Sequence, residues 1–239
     1  MRLEPLPLLD SPRIGHSRLS QDHVAHAFEW RRPRCAPSHA LLLLSVLLGG
    51  RVASGQSDTR YFSREEILSL PRYCQAQKFI YGGTEAPIVT DSETRHWEQV
   101  LGPGYVHFHH YCWALMKIRR AANASDAQTR AGLYRQAIDD LDYVQRNTTA
   151  AFPLAPEVAI RKGMTLQLVG DDGSATREFM RSIRLKSDYT PGYAALVDQY
   201  VRLGLLEEAR KVLQEGLRHA PASRLLLQRQ LELESGKQD

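Results

Sequence analysis

The chain is short of what most catalytic sites and membrane spans require. It holds no stretch of about twenty apolar residues, so no conventional spanning helix is encoded. There is no HExxH zinc pair, no G-x-S-x-G nucleophile turn and no glycine loop built to cradle phosphate. Cysteine is scarce, three in 239 residues, and Cys35 precedes the chain's one apolar run instead of following it, which excludes a lipoprotein attachment box. Net charge is small, +4, and residues 1–55 hold seven arginines against four carboxylates, so three of those four charges belong to the leader. The remainder is close to neutral. A basic pI of 9.0 therefore does not announce a nucleic-acid partner.

What is present begins with that leader. Residues 1–37 are irregular and rich in Pro, Arg and Ser, after which Ala40 opens the apolar run ALLLLSVLLGG. Arg31-Arg-Pro-Arg34 flanks it on one side and Val52-Ala-Ser54 on the other. A basic flank, a short apolar stretch and a small-residue exit are the parts of a secretory signal. Cleavage is expected near Ser54 or Gly55. The forty residues ahead of the run are unusual, so the alternatives are a true start further downstream or an uncleaved N-terminal anchor. Export to the periplasm is expected on either reading, with membrane association through this segment if it is retained. Beyond it lie Cys74 and Cys112. In an oxidising compartment an even pair points to a disulfide, which closes a loop of about 37 residues and contributes roughly 3–4 kcal/mol on the chain-entropy account. The alternative is two buried thiols packed as small hydrophobes.

From Pro156 the sequence repeats at a spacing of 34. Aligning 156–189 with 190–223 sets Ala159 on Tyr193, Leu166 on Tyr200, Gly170 on Gly204, Ala175 on Ala209, Phe179 on Leu213 and Ser187 on Pro221. Small residues meet small ones and large apolar ones mostly meet large ones. A 34-residue period is that of stacked helix–turn–helix units. Ala175 and Ala209 stand where two antiparallel helices approach closely. Tyr193, Leu196 and Tyr200, spaced three and four, form the apolar stripe of a first helix.

On these residues the chain resembles the tetratricopeptide repeat family, of the bacterial exported type. The second copy follows the family pattern with Tyr193, Leu196, Tyr200, Ala209, Leu213, Gly216 and Pro221; the first is looser but keeps Gly163, Leu166, Ala175 and Phe179 in register. The resemblance implies an all-α solenoid. A diverged unit is expected over 105–155, with Trp113 in its first helix and Ala137 and Leu141 in its second. The distance from Trp113 to Ala137 exceeds the family spacing by about eight residues, placed in a loop around 122–128. Residues 224–239 are read as a closing helix and tail, and 56–104 as a non-repeat helical cap. In that cap Ser63 and Glu66 form a capping box, with Phe62 and Ile67 as its hydrophobic staple. Pro71 interrupts, a helix resumes from Arg72 to Ile80, and another runs from Arg95 to Leu101. The family's first helices line a groove. By that carry-over the partner-binding candidates are Glu157, Ile160, Met164 and Gln167 in one repeat, and Ala194, Asp198, Val201 and Arg202 in the next. Such a mixed wall suits an extended peptide or a partner's helix. A scaffold in envelope assembly or secretion machinery is the function the resemblance implies, with a protein partner, no cofactor and no catalytic residue.

One stretch resists absorption into that pattern: VHFHHYCWALMK, 106–117, with three histidines and a cysteine. On a regular helix Phe108, Tyr111, Cys112, Leu115, Met116 and Ile118 share an apolar arc, and His107 and His109 stand about 160° apart. The three histidines then cannot converge on one ion, and only His107 with His110 makes a pair, which needs ligands from elsewhere. No metal is assigned. The expectation is core packing with Cys112 reaching Cys74, and His107 and His110 turned outward as interface or ligand groups. The alternative is an accessory protein that presents a metal, haem or thiol client through this helix. The acidic pairs Asp139-Asp140 and Asp171-Asp172 are read as a solvated helix face and a repeat turn. Asn123-Ala-Ser and Asn147-Thr-Thr match glycosylation acceptors, relevant only on a eukaryotic secretory route.

Overall fold

The computed structural model describes residues 62–81 and 88–236, and the leader assignments, with the expected cleavage near Ser54, lie outside them. Among the described residues all regular structure is helical: α1 Arg64–Leu68, α2 Arg72–Gln75, α3 Asp91–Leu101, α4 His109–Ala122, α5 Ala127–Asn147, α6 Ala155–Leu168, α7 Asp172–Leu185, α8 Thr190–Arg202, α9 Leu206–His219 and α10 Arg224–Ser235. Short 3₁₀ turns occupy Lys78–Ile80 and Gly102–His107. No described helix is long and apolar enough to cross a membrane.

Helices α4 and α5, α6 and α7, and α8 and α9 pair as antiparallel hairpins. Each hairpin packs on the next through α5 against α6 and α7 against α8, and α10 closes against α8 and α9. This is an all-α helical solenoid. The 34-residue period survives down to single hydrogen bonds. Asp171 N–H donates to Leu166 O at 3.0 Å, and 34 residues on Leu205 N–H donates to Tyr200 O at 2.8 Å. Both close Schellman-type helix ends, and both need a left-handed residue just before. Gly170 and Gly204 supply it, at φ 81° and 74°.

Small residues set how closely the helices approach. Ala175 and Ala209 have no exposed surface. A Cβ on Gly163 would lie 2.5 Å from the Phe179 ring, so the backbone of α6 rests on that ring. Phe179, fully buried, joins Ile160, Leu166 and Leu196 in the middle of the stack. Tyr193, Ala194, Val197, Leu213 and Leu226 form the layer beyond, under α10.

The first hairpin departs from this regularity. The linker between α4 and α5 is residues 123–126, not a long inserted loop, and the surplus residues belong to α5, which has 21 residues where α7 and α9 have 14. Asp126 caps α5 by accepting from Thr129 N–H at 2.7 Å, so that the end of the expected loop, residues 127–128, is helix. The far half of α5 lies beside the 3₁₀ turn 102–107, where His107 reaches Tyr143.

The described part of the cap is helical, and the N-caps of α1 and α3 are both made by side chains. Ser63 and Glu66 form the capping box of α1, and Thr90 and Glu93 form a second one for α3, which therefore starts four residues ahead of the expected Arg95. The stretch from Arg72 breaks after one turn into α2 and a 3₁₀ turn. Residues 62–81 pack into one core with α4 and α5 that includes Phe62, Ile67, Tyr73, Ile80, Phe108, Tyr111, Met116 and Leu141. Cys74 and Cys112 are bonded across it, Cα–Cα 5.5 Å, with no exposed surface.

Candidate partner-binding face

The histidine-rich stretch resolves first. Residues 102–107 form a 3₁₀ turn and α4 begins only at His109, so the regular-helix angle drawn for His107 does not apply. Phe108, Tyr111, Cys112 and Met116 are fully buried, and Phe108 stacks on Tyr111 at 4.7 Å. His107 and His110 are half-buried and engaged by α5, not free outward groups. His110 Nδ1 donates to Asp140 Oδ1 at 2.8 Å and its ring lies 3.8 Å from Tyr143, while His107 Nδ1 sits 3.2 Å from the Tyr143 hydroxyl. The unexpectedly long α5 covers them. Asp140 is accordingly 7% exposed, not solvated, and accepts from Lys117 Nζ at 2.6 Å as well. His109 rests between Phe79 and Trp113, and burial, with His110 beside it, holds its imidazole below the ordinary range. Among the described residues no three His, Cys, Asp or Glu side chains are grouped as a metal ion would need.

The eight positions carried over as groove candidates divide. Ile160 and Ala194 have no exposed surface, and Glu157 is 7% exposed. All seven positions Ala155–Arg161, nearly two turns of α6, are buried, so every face of the helix is covered there. The carry-over assumed an open first-helix wall. Here Tyr111 of α4, Tyr189 ahead of α8 and the cap residue Tyr73 close over it. Glu157 accepts from the Tyr111 hydroxyl at 3.2 Å, from the Tyr189 hydroxyl at 2.7 Å and from Arg161 Nε at 2.8 Å. Burial first, and the Glu157 carboxylate second, push all three phenols well above their ordinary value. Such a cluster is an interior tie between neighbouring units. Breaking one partner would strand a buried charge, at about 3–5 kcal/mol.

The remaining candidates lie in the later turns of α6 and α8 and keep surface in contact with solvent: Met164, Gln167, Asp198, Val201 and Arg202. The structure draws two of the polar ones together. Gln167 donates to Gln199, and Arg202 bonds both Gln199, at 2.8 Å, and Asp172. Asp198 turns the other way and holds Arg229 of α10 with two bonds, 2.6 and 2.9 Å. These contacts fix the spacing between successive repeats.

Sequence reasoning missed the apolar part of this face. Leu168 ends α6 and Val169 follows it, at 43% and 40% exposure, and Leu203 and Leu205 follow α8 at 39% and 43%. Val169 and Leu203 are 34 apart, each directly before the left-handed glycine of its turn. That register was available as a signal: a large apolar residue beside a turn glycine, twice. The Arg202–Asp172 contact joins the end of α8 to the start of α7, so the two turns are neighbours.

No family model matches the chain, and no curated protein matches it in sequence. Solved structures are similar to parts of it. A thermophilic tetratricopeptide-repeat protein of Thermus thermophilus is 19% identical, with 60% of this chain and 71% of that one covered at a TM-score of 0.47. The first such domain of Spaghetti (RPAP3), bound to an HSP90 peptide, is 18% identical over 52% of this chain and 91% of that one, TM-score 0.37. The second domain of human RPAP3, in complex with an HSP70 peptide, is 16% identical over 51% and 98%, TM-score 0.35.

Proposed function

We propose that this chain is a non-catalytic scaffold, exported to the periplasm or held at the outer surface of the inner membrane, that binds a protein partner within an envelope assembly or secretion complex. The observation that carries the binding claim is the row of exposed apolar side chains Leu168, Val169, Leu203 and Leu205 beside Met164, Gln167, Val201 and Arg202. Apolar side chains exposed together and rimmed by polar groups mark contact surfaces. Their arrangement, apolar with a few fixed polar groups, suits an extended segment or an amphipathic helix. The setting is supported by the leader's composition and by the Cys74–Cys112 bond, since disulfides persist in oxidising compartments.

The test is site-specific photocrosslinking from Met164 and from Val201 in the native envelope, with Lys211, exposed on α9, as the control position. One protein should crosslink from both positions and not from Lys211, and Leu203→Asp with Leu205→Asp should abolish the product without lowering the melting temperature. Equal crosslinking from all three positions, or none, would sink the proposal.

A further inference from the structure

The outer face of α10 has no partner among the described residues. Its inner side carries Leu226, fully buried, with Leu225, Arg229 and Leu233 half-buried against α8 and α9. At about 100° per residue, Arg224, Leu227, Gln228, Leu231, Glu234 and Ser235 fall on the opposite side within about 120° of arc, and all six are exposed. Leu231 is 66% exposed and Leu227 41%. The outward face of a solenoid helix is normally polar; that of α10 places two leucines a turn apart at the centre of its stripe.

The stripe reads as its own complement in the reverse direction. Positions 227 and 231 are both Leu, and positions 224 and 234, at equal distances from 229, are Arg and Glu. A second copy laid antiparallel about a two-fold axis through position 229 sets Leu227 on Leu231 of the other copy, and Arg224 against its Glu234, each contact made twice. That is the pattern an isologous interface requires. The charges are available for it. Among the described residues Arg224 makes no ion pair, and Glu234 accepts only the Gln230 amide, at 2.9 Å. A parallel arrangement would instead oppose Arg224 to Arg224 and Glu234 to Glu234.

We propose that the outer face of α10 is a homodimer contact in which two copies of this chain pair antiparallel through Leu227 and Leu231, oriented by Arg224 and Glu234. A pair of 12-residue helices covers less than the roughly 1,200 Å² at which stable interfaces begin, so the dimer is weak and concentration-dependent.

Sedimentation equilibrium of the full chain from micromolar to millimolar concentration tests this. The native chain should show reversible monomer–dimer exchange, and Leu227→Asp with Leu231→Asp should lose the dimer while keeping its helical content and melting temperature. Arg224→Glu alone and Glu234→Arg alone should each weaken self-association about tenfold, two rim pairs having turned from attractive to repulsive. Mixing those two variants should restore association as a heterodimer, because both pairs then unite opposite charges. A native chain that stays monomeric overturns the proposal, as does a dimer indifferent to the leucine changes. Failure of the mixture to associate overturns it even if the leucine variant does not fold. So does a monomer whose α10 crosslinks to some other protein.

Discussion

The cap with the first hairpin, and the two regular repeats after it, are held together by different means. Helices α6 to α9 rely on neighbours: Gly163 on Phe179, Ala175 and Ala209 at close approaches, and a turn repeated bond for bond after 34 residues. Residues 62–81 rely on distant ties: the Cys74–Cys112 bond, Arg120 clasping Glu66 with two bonds of 2.7 Å, and the Tyr105 hydroxyl donating to Ala76 O at 2.7 Å. Burial, with Glu98 nearby, pushes that Tyr105 phenol up to about 12. Periodic packing is cheap to specify, because one solution serves twice. A cap has no second copy of itself to lean on, and its contacts are specified one by one.

If the two regions are separable in this way, they should fail separately. The largest effect is expected from Phe179→Ala, which empties the centre of the repeat core at a cost of about 3–5 kcal/mol. Denaturant unfolding should show the loss, and hydrogen exchange should rise across α6 to α9 before it rises in residues 62–81. A simultaneous rise in both regions would erase the distinction. Next comes replacement of Cys74 and Cys112 by serine, expected to cost about 3–4 kcal/mol and to expose residues 62–81 to protease while leaving exchange in α8 and α9 unchanged.

Gly163→Ala sharpens the repeat side of the comparison. Its methyl group would meet the Phe179 ring at 2.5 Å, and overpacking of that kind costs about 1–3 kcal/mol. Unchanged stability would mean that α6 can move off the ring freely. The smallest effect is on the cap side. Hydrogen bonds from Arg120 hold the Glu66 carboxyl below its ordinary 4.5. A depressed carboxylate contributes fully above its unfolded-state value and loses that contribution as pH falls through the folded one. Acidification from about pH 5 downward should therefore loosen α1 from α4, by under about 1 kcal/mol. Glu66→Gln should remove this part of the acid dependence, visible in amide exchange of Ile67.

The same contrast governs what could be read in advance. Positions fixed by local geometry were legible: the capping box at Ser63, the close-approach alanines, and the glycines before each second helix. The capping box at Thr90 was equally present in the sequence and was overlooked. Positions fixed by tertiary register were not legible. Whether His110 meets Asp140 depends on how α5 slides along α4, and the surplus of helix in α5 has no local signature distinct from a polar loop. Glu157 and Ile160 misled for a related reason. Family position implies an open wall, and only the arrangement of Tyr73, Tyr111 and Tyr189 shows it closed. Leu168 and Leu203 show the reverse, since exposure of an apolar side chain is invisible to a pattern that expects such residues inside.

The length of α5 has a consequence for how the array can grow. A 21-residue helix beside 14-residue ones makes a step in the stack, and the cap is bonded through Cys74 to Cys112 of α4. A further repeat set ahead of α4 would have to displace a covalently anchored segment that shares one core with α4 and α5. Between α9 and α10 there is no such obstacle, because the turn geometry there already repeats. The array is therefore directional: its first unit is a fixed origin, and duplication of whole repeats extends it only towards α10, carrying any contact made by α10 outward with each addition.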